Sequence, residues 1–347
     1  MRKMITFRNK KDTLSLQMEH KSLLIIGICM VLVLIASIAG TSVGNDFISP
    51  LNVLQTIFGL GTGDHDFVVL TLRLPRVLLS LLVGAALGMS GALLQGIIRN
   101  PLASPDVIGI TGGAAVAAVG FVTLLGGTIS IKLLPLFAIM GAMITAIIIY
   151  LLAWKKGVSP IRLVLIGIGV SAITGAGTTF MLILSPFYTA GQAYIWLTGS
   201  VYGASWTDVR TIIPVIVIVL PLAIWFAQSL NAQEFGDDLA TGLGVTVQRH
   251  RSALLLCSVL LAGAAVAVAG TIGFVGLIAP HIARKLVGRM FGSMFIVSGL
   301  VGALLVFAAD LIARTVFLPL DVPAGVFTAG VGAPFFLYLL FKNRNQF

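Results

Sequence analysis

Nine long runs of uncharged, mostly apolar residues constrain the fold of this chain more than any other feature. The runs are 22–45, 77–98, 107–131, 133–154, 163–207, 211–233, 252–283, 290–309 and 322–341. A helix needs about 20 apolar residues to cross the hydrocarbon core of a bilayer. Only 10% of the 347 residues are charged, against about 25% in soluble domains. The pattern predicts an all-α, multi-pass membrane protein.

Two of these runs are too long for a single crossing. Run 163–207 ends in a stretch rich in Tyr, Trp, Ser, Thr and Gly, which is typical of the membrane interface. It therefore predicts one span followed by a short surface helix around Gln192–Tyr202. Run 252–283 contains several glycines and a proline, and predicts two crossings joined by a tight turn near Gly270–Gly273. The expected total is about ten spans.

The positions of the basic residues test this count, because cytoplasmic loops carry an excess of Lys and Arg. With ten spans and both termini in the cytoplasm, 17 of the 22 Lys and Arg residues lie inside and 5 outside. Treating 252–283 as one span gives 13 inside and 9 outside. Ten spans are favoured, so the net charge of +10 reflects topology and indicates no nucleic-acid partner.

Residues 81–109 and 260–288 resemble two copies of one membrane element. A shift of 179 positions places Gly91 on Gly270 with no gap, along with several other Gly, Ala and Leu matches. Because each half would contain five spans, an odd number, the two copies would cross the membrane in opposite directions. The sequence thus predicts two inverted five-helix repeats, an arrangement found in many transporters.

The chain lacks the usual signatures of an enzyme or of a self-powered transporter. It has no G-x-x-x-x-G-K-[ST] phosphate loop and no H-E-x-x-H metal motif. Asp310 is the one carboxylate expected within a span, with Arg314 four residues later as its partner. Ion-coupled transporters usually need several intramembrane acids or histidines. No catalytic residue, metal site or bound cofactor is predicted, and the energy is expected to come from another polypeptide.

Three segments carry a resemblance to a known family. They are LRLPRVLLSLLVGAALGMSGALLQGIIRNPLASPDVIGITGGAA at 72–115, LNAQEFGDDLATGLGV at 230–245 and AGTIGFVGLIAPHIARKLVG at 269–288, followed by LLVFAADLIAR at 304–314 and DVPAGVFTAGVGAPFFLYLL at 321–340. In order and spacing they resemble the permease subunits of ABC importers for iron chelates, haem and cobalamin. The resemblance covers essentially the whole chain.

The resemblance implies a set of partners in the bacterial cytoplasmic membrane. A second permease subunit, identical or different, would complete the pathway, and two cytosolic ABC ATPase subunits would bind the ATP. An extracytoplasmic solute-binding protein would deliver an iron-chelate substrate. The chain would then divide into a cytoplasmic tail, 1–21, and a permease domain, 22–347. Within the domain we expect a first repeat at about 22–184, a second at about 209–341 and a cytoplasmic coupling loop at 228–250.

Three arginines on the outer side match the family's docking positions for the binding protein. They are Arg73, Arg76 and Arg314, and their guanidinium groups would pair with carboxylates of that protein. Snorkelling to the interface, or neutralisation of Asp310 by Arg314, is the alternative.

The coupling loop is expected to seat in a groove of the ATPase. Its acidic residues Glu234, Asp237 and Asp238 offer charge at a helix N-terminus or pairs for basic partners. Gly242 and Gly244 would permit a close approach of two backbones. An ordinary solvated loop is the alternative.

Two further segments on the inner side match family positions. Ser159, Pro160 and Ile161 would form a cytoplasmic gate, although a proline at the start of a helix explains the same pattern. Asn100 and Pro101, with Pro280 in the second copy, would form hinges or turns.

Together these features predict a permease that imports an iron–siderophore complex by ATP-driven alternating access. A haem or cobalamin importer is the first alternative. A self-contained secondary transporter is a further alternative, since inverted repeats would suit it as well.

Overall fold

The computed structural model of the protein describes residues 4–8, 15–44, 46–126, 128–155, 157–317 and 320–342. The rest of the predicted cytoplasmic tail lies outside these residues, as do Lys156 and the C-terminal residues 343–347. Within the described tail, strands β1 (Met4–Arg8) and β2 (Ser15–Glu19) form an antiparallel hairpin. Among the described residues, this hairpin departs from the predicted all-α fold.

Thirteen α-helices follow the hairpin in the part of the chain that the structure describes. They are α1 (His20–Ser42), α2 (Pro50–Ile57), α3 (Leu74–Ile98), α4 (Ile110–Gly120), α5 (Leu134–Ala153), α6 (Pro160–Leu184), α7 (Phe187–Leu197), α8 (Trp206–Gln233), α9 (Asp237–Gly242), α10 (Val247–Ala269), α11 (Val275–Val287), α12 (Phe291–Val316) and α13 (Ala324–Lys342). Short π-helical or 3-10 segments extend three of them, at Phe67–Arg73 before α3, Phe121–Leu125 after α4 and Ile131–Leu133 before α5.

Eight of the described helices are long and apolar enough to cross a membrane. They are α1, α3, α5, α6, α8, α10, α12 and α13. One shorter apolar helix, α4 with its π-helical extension, covers Ile110–Leu125, and the 13-residue helix α11 completes a set of ten segments. The prediction of about ten membrane segments is confirmed, and so is the division of run 252–283 into two helices.

The break between α10 and α11 is produced by two residues with left-handed backbone. Gly270 has φ +68° and Phe274 has φ +66°, a conformation that glycine adopts readily and other residues rarely adopt. The loop is covered by protein, since Ser200 N donates to Ala269 O at 2.8 Å. Irregular backbone at this depth is tolerated only under such cover.

Two helix boundaries differ from the predicted ones for identifiable reasons. The second span begins at Phe67, ten residues before the uncharged run, because Arg73 is bound by carbonyl oxygens and Arg76 by carboxylates of the same chain, so neither ends the helix. The surface helix α7 occupies Phe187–Leu197, earlier than the predicted Gln192–Tyr202. Pro186 precedes its first turn, and Gly199 with φ +74° prevents its continuation.

Helix α3 lies at the centre of the bundle and is the most buried of the long helices. Three of its four glycines, Gly84, Gly88 and Gly91, face neighbouring backbones. A Cβ atom added at Gly84 would lie 2.2 Å from Gly302 O on α12, and one at Gly91 would lie 1.8 Å from Gly276 O on α11. Small residues allow helix axes to approach this closely in membranes.

The helix pairings recur in the two halves of the chain. In the two halves, α3 corresponds to α10, α4 to α11 and α5 to α12. The contact of α3 with α12 then matches that of α10 with α5, and the contact of α4 with α5 matches that of α11 with α12. Matched pairings of this kind accord with the inverted repeats. The exact repeat boundaries, 22–184 and 209–341, stay a prediction.

The segment between α3 and α4 folds back into the bundle. Gly91 lies about 10 Å from the end of α3, at 1.5 Å per residue, and contacts Gly276. A Cβ atom added at Gly276 would lie 3.0 Å from Pro105 Cδ. Asp106 therefore reaches the start of α11, and its Oδ2 accepts from Phe274 N at 3.3 Å. Gly109 occupies the N-cap of α4, so Asp106 does not cap the helix that follows it in the sequence.

Candidate functional sites at the two membrane faces

One cluster of charged side chains lies at the ends of α3 and α12 that are predicted to face outward, and we call it the outer charge cluster. It consists of Arg73, Arg76, Asp310, Arg314 and Asp321. Arg76 is its centre: Nη2 lies 2.8 Å from Asp310 Oδ1 and 2.7 Å from Asp321 Oδ1. The Asp310 side chain is 2% exposed and the Asp321 side chain 27%. Arg76 thus joins a buried carboxylate to one near the surface.

The other two arginines of the cluster bind the end of α1. Arg73 donates to the carbonyl oxygens of Ser42 at 3.0 Å and Asp46 at 2.7 Å. Arg314 donates to Gly40 O at 2.6 Å, and its Nε lies 3.6 Å from Asp310 Oδ2. The last carbonyls of a helix lack partners within the helix, so these guanidinium groups cap α1.

The three arginines predicted to dock a binding protein therefore lie together, but all three are engaged within the chain. Arg73 and Arg314 are held by backbone carbonyls and Arg76 by two carboxylates. The expected neutralisation of Asp310 by Arg314 is present, yet Arg76 makes the shorter bonds. Asp321 is a member of the cluster that the sequence did not single out, because its partner lies 245 residues away.

On the opposite side, the predicted coupling loop is centred on the short helix α9. Asp237 begins α9 and binds two arginines, Arg99 after α3 and Arg251 on α10, the latter with both oxygens at 3.0 Å. Arg251 is buried and also donates to Val158 O at 2.6 Å. Burial opposes ionisation of Asp237, but the hydrogen bonds and charges of Arg251 and Arg99 outweigh it and hold the pKa of this carboxyl below its usual value.

The remaining predicted coupling residues are exposed. The Glu234 and Asp238 side chains face outward, and Cβ atoms added at Gly242 or Gly244 would meet no atom within 4 Å. Gly244 has φ +85°, so a side chain there would strain the turn. The loop holds one short helix, not the predicted two, because Gly236 with φ +117° and Gly244 limit α9 to six residues.

Sequence reasoning missed the apolar residues of this loop. Phe235 is 77% exposed, Leu239 63% and Leu243 74%, and we call the three the apolar stripe. Leu239 lies within α9, whereas Phe235 precedes this helix and Leu243 follows it. Because the three do not share one helix, no helical period marked them in the sequence.

The predicted gate residues have local structural roles. Ser159 caps α6, since its Oγ accepts from Arg162 N at 3.4 Å and from Arg162 Nε at 3.1 Å. Pro160 is the first residue of that helix, and Ile161 is exposed. This geometry accords with the helix-start account, while a constriction at these residues stays a prediction.

The two predicted hinges differ from each other. Asn100 and Pro101 form a turn after α3, in which Leu102 N donates to Asn100 Oδ1 at 2.9 Å. Pro280, in contrast, lies inside α11, so it forms no turn, and its assignment as a hinge stays a prediction. The shift of 179 positions aligns Pro101 with Pro280 without a gap. In the structure, α3 extends further along this alignment than α10 does, so the two prolines are not structurally equivalent.

Comparisons with known proteins identify the family. The model of the FecCD transport family matches residues 29–342. The chain is 48% identical to the Probable siderophore transport system permease protein YfhA of Bacillus subtilis (strain 168), over 94% of this chain and 97% of the relative. It is 50% identical to the Achromobactin transport system permease protein CbrC of Dickeya dadantii (strain 3937), over 92% of both.

A solved structure supports the same assignment. It is described as a metal-chelate type ABC transporter in an inward-facing conformation. Its chain is 29% identical and superposes with a TM-score of 0.80, over 92% of this chain and 99% of that one. With ten membrane segments and the family match over nearly its whole length, this chain belongs to the FecCD transport family.

Proposed function

We propose that this chain is the permease subunit of an ABC importer and that it carries an iron–siderophore complex inward. The observation that carries the proposal is the family match over residues 29–342. Two relatives that cover more than nine-tenths of the chain are named as siderophore or achromobactin transport permeases. The chain itself forms part of the transport pathway. Its motion opens a central cavity alternately to the two sides of the membrane.

The energy comes from partner subunits. A second permease, two cytosolic ABC ATPases and an extracytoplasmic binding protein complete the importer, and ATP is bound by the ATPases. In this orientation both termini and α9 face the cytoplasm, in keeping with the excess of basic residues on that side.

Reconstitution in liposomes tests this function. We expect uptake of a ferric siderophore only when the permease, its ATPase, the loaded binding protein and ATP are all present. Omission of the ATPase should abolish accumulation. Uptake by the permease alone under an ion gradient would contradict the proposal and favour a secondary transporter.

We infer that the apolar stripe is the part of the coupling loop that enters the ATPase. The acidic residue Asp237 is occupied by Arg99 and Arg251, so it orients α9 and is not free for a partner. Exposed apolar side chains gain free energy when a partner covers them. The open surroundings of Gly242 and Gly244 leave room for that partner's backbone.

Replacing Leu239 with aspartate should separate the ATPase from the permease. The charge would have to be desolvated in the interface, so we expect at least a tenfold weaker association in co-purification from detergent. Leu60→Asp is the matched control, since Leu60 is 76% exposed and lies after α2 on the opposite face. Equal loss in both variants, or in neither, would contradict the role of the stripe.

We further propose that Arg76 is the docking arginine of the outer charge cluster. Its partner Asp321 is partly exposed, so a carboxylate of the binding protein could replace Asp321 on the guanidinium fork. Arg73 and Arg314 support this site by holding the end of α1 in place.

A further inference from the structure

A cavity of about 440 Å³ lies among the ends of α3, α8, α11 and α12, on the side of the coupling loop. Its charged lining residues are Arg99, Arg284, Arg289 and Glu234, and Phe291 and Met294 form part of an apolar wall. Its size is in the range of small-molecule sites. Three residues of the predicted coupling loop, Leu230, Asn231 and Glu234, also line it, but the ATPase contact proposed for the apolar stripe does not use them.

The cavity has an excess of positive charge, although Glu234 attracts Arg284. Arg99 is bound to Asp237, whereas the ion pairs of the described residues do not include Arg284 or Arg289. Glu234 is the one carboxylate in the lining. Two guanidinium groups thus face a single acid, in a site that an anion would complete.

A buried polar atom also points to a ligand. Gln95 is 1% exposed and lines the cavity, and its Nε2 donates to Leu277 O at 3.4 Å. Its Oε1 is buried without a hydrogen-bond partner among the described residues. A buried acceptor usually has a donor, so a ligand with a hydroxyl group fits beside the arginines.

We propose that this cavity binds the phosphodiester head group of an anionic membrane lipid. Arg284 and Arg289 pair with the phosphate, and Gln95 accepts from a head-group hydroxyl such as those of phosphatidylglycerol. Basic cavities at the cytoplasmic ends of membrane helices suit lipid head groups. The apolar wall favours a lipid over free phosphate, because Phe291 and Met294 would line the start of the acyl chains.

The bound lipid would join four helices next to α9. Gln95 belongs to α3, Glu234 follows α8, Arg284 belongs to α11 and Phe291 begins α12. Occupancy would therefore stabilise the surface on which the coupling loop is supported. This inference does not depend on which substrate the protein carries.

Native mass spectrometry of the full chain tests the site with phosphatidylglycerol as the probe. We expect Arg284→Gln combined with Arg289→Gln to raise the apparent Kd at least tenfold. Arg249→Gln, at an exposed arginine on the same side, should leave it unchanged. Melting temperatures without lipid identify variants that fail to fold, and in that case the single variants Arg284→Gln and Arg289→Gln replace the double variant, each with a raised apparent Kd expected.

Two further comparisons separate the possible sources of the phosphate. Phosphatidylethanol lacks head-group hydroxyls, so the wild type should prefer phosphatidylglycerol and Gln95→Leu should lose this preference. Equal binding of phosphatidylglycerol by the double variant and the wild type would overturn the site. Protection against heat by inorganic phosphate, equal to that by phosphatidylglycerol, would overturn the lipid assignment.

Discussion

Gly91→Ala is expected to destabilise the permease strongly, although it adds a single methyl group. The new Cβ would lie 1.8 Å from Gly276 O and 2.5 Å from Gly276 C. Both atoms belong to backbone, so they cannot move aside as a flexible side chain would. Overpacking of this kind costs about 1–3 kcal/mol, and occasionally more. We expect a clearly lower melting temperature and less folded protein in the membrane.

The closeness of this contact follows from Pro280. Gly276 O would normally accept from the backbone N–H four residues later, but Pro280 has none. The freed carbonyl lies against Gly91 Cα, where only a hydrogen atom fits. A proline in one helix and a glycine in another thus form a single packing unit between α11 and α3.

Gly175→Ala in α6 is the matched control for Gly91→Ala. A Cβ atom at Gly175 would meet nothing within 4 Å, and alanine favours the helix by about 1 kcal/mol relative to glycine. The control should therefore melt at the wild-type temperature or slightly above it. Equal melting temperatures for the two variants would show that α3 and α11 do not pack as closely as described.

Arg76→Ala should be the most damaging change among the charged residues. It would leave Asp310, which is 2% exposed, with Arg314 Nε at 3.6 Å as its remaining ion partner. Removing one member of a buried ion pair costs about 3–5 kcal/mol, because the other charge stays desolvated. We expect little folded protein, measured by size-exclusion chromatography in detergent.

Two variants show whether this loss comes from the unpaired charge. Arg210→Ala removes an exposed arginine on the same side and should be nearly neutral. Arg76→Gln combined with Asp310→Asn removes both charges and should recover part of the stability lost in Arg76→Ala. If the double variant is no more stable than Arg76→Ala, the buried pair does not explain the loss.

Asp321→Asn separates docking from stability in the same cluster. Asp321 is partly exposed and Arg76 keeps Asp310 in this variant, so folding should change little. The guanidinium would then be freer to accept a carboxylate of the binding protein, and we expect tighter binding in a pull-down assay. Unchanged or weaker binding would contradict the exchange of partners proposed for Arg76.

The sequence predicted those features that depend on local composition. Runs of about 20 uncharged residues define membrane helices because unpaired backbone groups are costly in hydrocarbon. The left-handed Gly270 accounts for the division of run 252–283, and the basic residues support the count of ten. The repeat in the two halves was detectable in the sequence. The gap needed to align α3 with α10 and α4 with α11 together was not.

The tertiary structure decided which charged residues are available to partners. From the sequence, Arg73, Arg76 and Arg314 were similar outer arginines, yet each has its own set of internal acceptors. Asp237 looked like a free coupling acid until the structure placed Arg99 and Arg251 beside it.

The physical reason for this division is the range of the interactions. Membrane insertion depends on the hydrophobicity of about 20 consecutive residues, so the spans can be predicted from the sequence alone. An ion pair depends on atoms within 4 Å, and Arg76 meets residues 234 and 245 positions away. Only the folded bundle brings such residues together, and so only the tertiary structure reveals the outer charge cluster, the exposed apolar stripe and the basic cavity.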